Sequence, residues 1–114
     1  MFFKKIVSAF VNSMNGILMA LKEEFSFRIE FIFAVFFIPL SFILGENKFE
    51  IVFLIVSTLL ILLVELLNTA LETTLNRIGL EENNLTKYAK DLGSGAVLMS
   101  LFIWLATWFL IVIY

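Results

Sequence analysis

The chain has 114 residues, of which 61% are hydrophobic and 16% are charged, and its net charge is −2. Soluble globular domains are about 45–50% apolar, so this composition excludes a soluble protein with a polar exterior. The charge offers no basic surface for nucleic acid. Cysteine and histidine are absent from the sequence, which excludes disulfides and Cys-based zinc sites and leaves proton transfer to carboxylates or lysines.

The N-terminal segment, residues 1–24, predicts an amphipathic helix. Its apolar residues recur at helical spacing, with lysines, asparagines and a serine on the other side. Such a helix lies in the membrane interface, and packing against the rest of the protein is the alternative. The apolar run after the first lysines ends at Asn12, which is short for a signal peptide, so we expect the segment to remain.

Three apolar stretches predict membrane-spanning helices at residues 25–44, 50–76 and 92–114, with a polar connection at 77–91. The expected fold class is an all-α membrane protein with one domain. The third span begins with small residues that allow close helix packing. It also carries candidates for an interfacial aromatic belt, Trp104, Trp108 and Tyr114.

The first span must include charged residues. Its uncharged part, Phe31–Leu44, is shorter than the roughly 20 residues that cross a hydrocarbon core of about 30 Å. The span therefore begins near Phe25, which places Arg28 and Glu30 at the interface or just inside it.

The lysines and arginines predict the orientation of the chain. Seven of the eight lie between the N terminus and Arg28 or within residues 77–91, and only Lys48 lies between the first two spans. Because basic residues concentrate in cytoplasmic loops, we expect the N terminus and the 77–91 connection to face the cytoplasm.

The second span carries a polar stripe of Glu65, Asn68, Glu72 and Asn76. At about 100° per residue these side chains fall within an arc of about 80° on one helix face. Carboxylates inside a membrane are costly and usually mark function. Interhelical hydrogen bonding in an oligomer is the alternative reading.

Several kinds of chemistry fit this stripe. Carboxylate and amide oxygens are hard ligands suited to Mg²⁺ held together with substrate phosphates. A deeper carboxylate could serve as a base toward a lipid hydroxyl, and Lys90 could meet phosphate. Phosphoryl transfer to a lipid alcohol is thus one candidate among several, while the phosphate-binding motifs of soluble kinases are absent from the sequence.

Three sequence blocks resemble the prokaryotic diacylglycerol kinase family. They are "EFSFRIE" at Glu24–Glu30, "VELLNTALETTLNRIGLEENNLTKYAKDLGSGAV" at Val64–Val97, and "TW" at Thr107–Trp108. The resemblance implies a membrane kinase with an N-terminal surface helix and three transmembrane helices, which uses Mg²⁺ and ATP. It also implies a homotrimer in the bacterial inner membrane, with active sites between subunits at the cytoplasmic interface.

The resemblance also implies roles for particular residues. Glu65 corresponds to the catalytic base, and Glu24 and Glu72 correspond to metal ligands. The positions implied for nucleotide binding are Lys90, Asp91, Glu81, Asn68, Lys5 and Asn12. The positions implied for the lipid substrate are Glu65, Ser94, Trp108, Arg28 and Glu30.

The sequence departs from the family pattern at three positions. Asn76 stands where the family often has Asp, Asn12 where it often has Tyr, and Lys5 where Arg is usual. The last change loses the bidentate geometry of a guanidinium, which puts the N-terminal nucleotide contacts in question.

Three functions remain to be distinguished. The first is phosphorylation of diacylglycerol to phosphatidic acid, and the second is phosphorylation of undecaprenol by a kinase of the same fold. The third is a small channel or transporter subunit that uses the stripe as an ion path. An ion path needs polar groups across most of the bilayer, whereas Ile51–Val64 and Leu92–Tyr114 offer few.

Overall fold

The computed structural model describes residues 1–79 and 81–114, and all regular structure in those residues is helical. The helices are α1 (Phe2–Glu23), α2 (Phe25–Leu44), α3 (Lys48–Ile78) and α4 (Asn84–Trp108), and α4 continues into a π-helical turn at Phe109–Ile113. Three of them, α2, α3 and α4 with its π-helical turn, are long and apolar enough to cross a membrane. The predicted all-α membrane fold is therefore confirmed.

The helices extend beyond the predicted spans. Helix α3 begins at Lys48, and α4 begins at Asn84, so much of the 77–91 connection is helical. Asparagine caps explain both starts. The Asn47 side chain accepts a hydrogen bond from the Glu50 amide at 3.0 Å, and the Asn83 side chain accepts from the Leu85 amide at 2.8 Å. Gly79 follows the last residue of α3.

A turn of three residues, Gly45–Asn47, makes α2 and α3 an antiparallel hairpin. The Glu50 carboxylate accepts a hydrogen bond from the Glu46 amide at 3.0 Å, which closes the turn from its other side. Gly45 is required by the close approach of the chain, because a Cβ atom there would lie 2.6 Å from the Ile51 side chain. The short connection fixes the register of the two helices.

Helix α3 is the central helix and packs against both α2 and α4. Its buried residues are spaced three and four positions apart, so they form one face; they are Leu54, Ser57, Thr58, Ile61 and Glu65. The polar stripe continues this face toward Ile78. We call the end of the bundle where α3 ends and α4 begins the polar end.

An aromatic cluster joins α2 to α4 away from the polar end. The Trp104 ring lies 4.8 Å from Phe33, 4.9 Å from Phe37 and 5.2 Å from Trp108, measured between centroids. The Trp104 indole also donates a hydrogen bond to the Thr58 hydroxyl of α3 at 2.9 Å. Trp108 is buried and Trp104 half-buried. The two tryptophans pack within the bundle because rings and a hydroxyl of α2 and α3 surround them, whereas Tyr114 is exposed.

The Trp104–Thr58 hydrogen bond should stabilise the contact between α3 and α4. We expect Trp104→Phe to lower the free energy of unfolding by about 1 kcal/mol, the scale of an interhelical hydrogen bond in a membrane. Reversible unfolding in mixed micelles would measure this change in the free energy of unfolding. Thr58→Val removes the acceptor, so the double variant should lose less than the sum of the two single losses. Additive losses would show that the bond contributes nothing.

Candidate active site

A cavity of about 300 Å³ lies near the polar end, between the α1–α2 junction, α3 and α4. The structure brings five of the predicted site residues together here. The residues that line the cavity are Glu24, Ser26, Glu65, Asn68, Thr69, Glu72, Ser94 and Val97. Three carboxylates, one amide and three hydroxyls therefore face one small space.

Different elements supply the three carboxylates. Glu65 and Glu72 lie on α3 and are separated by about two turns, and Glu65 is only 7% exposed. Glu24 is the single residue between α1 and α2, with an extended backbone at φ −109° and ψ 110°. Because the helix breaks at Glu24, its carboxylate can face α3. If α1 continued as a helix through residue 24, the chain would run on in the direction of α1.

Asn68 is held by one hydrogen bond and by close packing against α4. Its side-chain nitrogen donates a hydrogen bond to the Glu72 carboxylate at 3.2 Å. Its oxygen is buried without a hydrogen-bond partner in the described part of the chain, and it lies where a Cβ atom on Gly93 would have to sit. The buried Gly93 thus gives α4 the close approach to Asn68, as the small residues at the start of the third span predicted.

A second cavity, of about 520 Å³, lies at the polar end around the connection between α3 and α4. It gathers the predicted nucleotide residues Glu81, Lys90 and Asp91. The Lys90 ammonium donates a hydrogen bond to the Asn76 amide oxygen at 3.1 Å, which ties α4 to α3. The Asp91 carboxylate pairs with Lys87 at 2.8 Å on an exposed surface, where such a pair adds little stability.

Two predicted nucleotide residues on α1 lie away from both cavities. Lys5 and Asn12 are exposed, and they precede Glu24 by about 28 Å and 18 Å of helix at 1.5 Å per residue. Within one chain the structure does not bring them to the carboxylates.

Three predicted lipid-site residues also lie outside the cavity around Glu65. Trp108 belongs to the aromatic cluster, about 21 Å of helix from Ser94. Arg28 donates hydrogen bonds to the main chain of α1. Glu30 is half-buried on α2, with one oxygen that is buried and has no hydrogen-bond partner in the described part of the chain.

Sequence reasoning missed three contributions to these cavities. Ser26 and Thr69 line the cavity around Glu65. The signal for Thr69 was its spacing, because a residue four positions after Glu65 lies on the same helix face. Asn76 was predicted as part of the polar stripe, but its bond to Lys90 was missed because that bond depends on how α3 and α4 align.

The donor atoms around Glu65 fit a hard divalent cation, because they are carboxylate, amide and hydroxyl oxygens. Among residues 1–79 and 81–114, no group of three or more acidic side chains is arranged to hold a metal ion. The oxygens of Glu24 and Glu72 could therefore supply part of a coordination shell, as Mg²⁺ sites with one or two carboxylates plus phosphate require.

These features define a small membrane protein with carboxylates gathered at one end of its helix bundle. Comparison with known proteins extends this description. The family model described as prokaryotic diacylglycerol kinase matches residues 11–112. The chain therefore belongs to the prokaryotic diacylglycerol kinase family, as its resemblance indicated.

Relatives in several bacteria agree with this assignment. The diacylglycerol kinase of Haemophilus influenzae is 47% identical over 89 residues, which cover 78% of this chain and 75% of that protein. The diacylglycerol kinase of Pseudomonas aeruginosa is 40% identical over 105 residues, or 92% of this chain and 85% of that protein. That of Escherichia coli K12 is 35% identical over 106 residues, or 93% and 87%.

Family membership makes the chain a bacterial membrane enzyme that transfers a phosphoryl group from ATP to a lipid. The interpretation as a channel or transporter subunit is thereby set aside.

Gly93→Ala should disturb the site through Asn68. The added methyl group would overlap the Asn68 oxygen and lie 3.2 Å from the Leu71 side chain, so we expect a loss of about 1–3 kcal/mol in unfolding free energy and reduced kinase activity. Gly95→Ala is the matched control, because a Cβ atom there meets no described atom within 4 Å. Equal behaviour of the two variants would contradict the proposed contact.

Proposed function

We propose that the protein phosphorylates diacylglycerol to phosphatidic acid with ATP at the cytoplasmic face of the membrane. The observation that carries this proposal is the cavity in which the buried Glu65 meets Glu24 and Glu72. Its position near the polar end suits a lipid hydroxyl that arrives from the bilayer and a nucleotide that arrives from water. The shared name of the relatives supports diacylglycerol as the acceptor.

Glu65 is the proposed general base. Its carboxylate takes the proton of the acceptor hydroxyl as the hydroxyl oxygen forms a bond to the γ-phosphorus of ATP. The bond from the γ-phosphorus to the bridging oxygen breaks, and ADP leaves with the electron pair. Such transfers depend mainly on positioning and electrostatic stabilisation. Glu65 lies on the buried face of α3, where packing holds it in place.

Glu24 and Glu72 would hold Mg²⁺, which when bound neutralises charge on the transferred phosphoryl group. Asn68 supports this pair through its hydrogen bond to Glu72. The cavity around Lys90 is the proposed nucleotide site, with the ammonium directed at phosphate and with Asp91 and Glu81 as further contacts. Ser94, across the cavity from α3, is proposed to contact the lipid.

A homotrimer with shared sites is the proposed assembly. Lys5 and Asn12 are remote from the cavities around Glu65 and Lys90 in their own chain, so any part they play in nucleotide binding needs a neighbouring subunit. Broad apolar faces support such packing and contact with lipid: Phe36 is 64% exposed, Phe53 61% and Phe102 61%.

The proposed location is the bacterial inner membrane with a cytoplasmic N terminus. Support comes from the basic residues, since seven of eight lie on the side of the polar end or on α1. This orientation gives the Lys90 cavity access to cytoplasmic ATP.

A side-by-side assay tests the substrate. We expect the purified protein in lipid to transfer phosphate from Mg-ATP to diacylglycerol faster than to undecaprenol. Glu65→Gln should lower turnover by about 10²–10⁴-fold, the contribution of a general base. Glu46→Gln, in the turn between α2 and α3, is the matched control and should retain activity. Faster transfer to undecaprenol would assign the protein to the second substrate, and an active Glu65→Gln would exclude the proposed base.

A magnesium titration tests the metal ligands. Glu24→Ala and Glu72→Ala should each raise the half-saturating Mg²⁺ concentration by at least about tenfold, because each removes one carboxylate from a sparse ligand set. Glu23→Ala makes the same change in charge one position from Glu24 and should leave the titration unchanged. Overlapping titrations for all variants would count against metal ligation.

A further inference from the structure

The junction between α1 and α2 leaves main-chain carbonyls without helical partners. Helix α1 ends at Glu23, and the extended Glu24 turns the chain into α2. The Glu24 amide donates to the Ala20 carbonyl at 2.8 Å. The carbonyls that follow Ala20 have lost their α-helical donors, as at any helix C-terminus.

Arg28 satisfies two of these carbonyls from the first turn of α2. Its Nη1 atom donates to the Lys22 carbonyl oxygen at 2.7 Å and to the Leu21 carbonyl oxygen at 3.1 Å. Its guanidinium carbon also lies 5.9 Å from the centre of the Phe25 ring. A positive charge at the negative end of the α1 dipole adds to the attraction.

Helix α1 is otherwise lightly held. Ala20 is its one buried residue, and the side chains before Ile17 are exposed. The angle between α1 and α2 therefore depends on the contacts across the corner, which include the bonds from Arg28. A change in that angle would move Glu24, which forms the corner and whose carboxylate faces the cavity around Glu65.

From these contacts we propose that Arg28 is a positioning residue, which holds the α1–α2 corner and thereby sets where the Glu24 carboxylate lies. This role differs from the lipid contact that the family resemblance implied for Arg28. It rests on the proposed function in one respect, since Glu24 is taken as a magnesium ligand.

The proposal predicts that Arg28 variants behave like impaired metal-site variants. Arg28→Gln should raise the half-saturating Mg²⁺ concentration by about tenfold, the equivalent of one lost hydrogen bond to a charged group, with the KM for diacylglycerol unchanged. Arg28→Lys keeps a cationic donor and should recover much of the difference. Lys22→Gln removes a positive charge from the same corner without touching these hydrogen bonds, and it should match the wild type.

A second measurement needs no turnover. Hydrogen exchange of the Glu24 and Arg28 amides reports fraying of the corner. The Glu24 amide donates to the Ala20 carbonyl at the end of α1, and the Arg28 amide donates to the Glu24 carbonyl at the start of α2. Exchange should be faster in Arg28→Gln, intermediate in Arg28→Lys and unchanged in Lys22→Gln.

The outcomes separate this proposal from the proposed function. Unchanged exchange in Arg28→Gln overturns the positioning role, and so does a raised KM for diacylglycerol with an unchanged Mg²⁺ titration. Faster exchange with an unchanged titration also overturns it, because Glu24 would then be set independently of the corner. If the wild type phosphorylates neither lipid, the proposed function fails, and exchange alone decides whether Arg28 holds the corner.

Discussion

A carboxylate buried between packed helices is the constraint on which the rest of the structure depends. Glu65 is 7% exposed on the face of α3 that also buries Leu54 and Ile61. Such a group is costly unless it is protonated, paired or close to a cation. The molecule places it beside a polar cavity with amide and hydroxyl groups, so polar side chains lie next to the group that needs them.

The two ends of the bundle differ in how tightly the helices pack. Away from the polar end, a three-residue turn and the ring cluster around Trp104 hold α2, α3 and α4 in register. Toward the polar end, the same helices leave room for the cavities around Glu65 and Lys90. Fixing the helices at one end keeps residues on different helices aligned at the other, as preorganised sites require.

Much of this arrangement could be predicted from sequence, because helix periodicity and hydrophobic length are local properties. The stripe on α3 follows from residue spacing alone, and its meeting with Glu24 and Ser94 followed from the family resemblance. The contacts that needed the structure join distant parts of the chain. The bond from Lys90 to Asn76 depends on the α3–α4 register. The proposed role of Arg28 depends on a one-residue corner, and the burial of Trp108 depends on the Phe37 ring of α2.

The brevity of the Gly45–Asn47 turn has a consequence for how the chain crosses a membrane. Three residues cannot reach across a bilayer about 30 Å thick, so the C-terminal end of α2 and the N-terminal end of α3 must lie at the same membrane surface. The charged residues in and beside the turn, Glu46, Lys48 and Glu50, therefore lie at that surface together. Helices α2 and α3 thus run through the membrane in opposite directions, and the orientation of α2 fixes that of α3, the helix that carries the polar stripe.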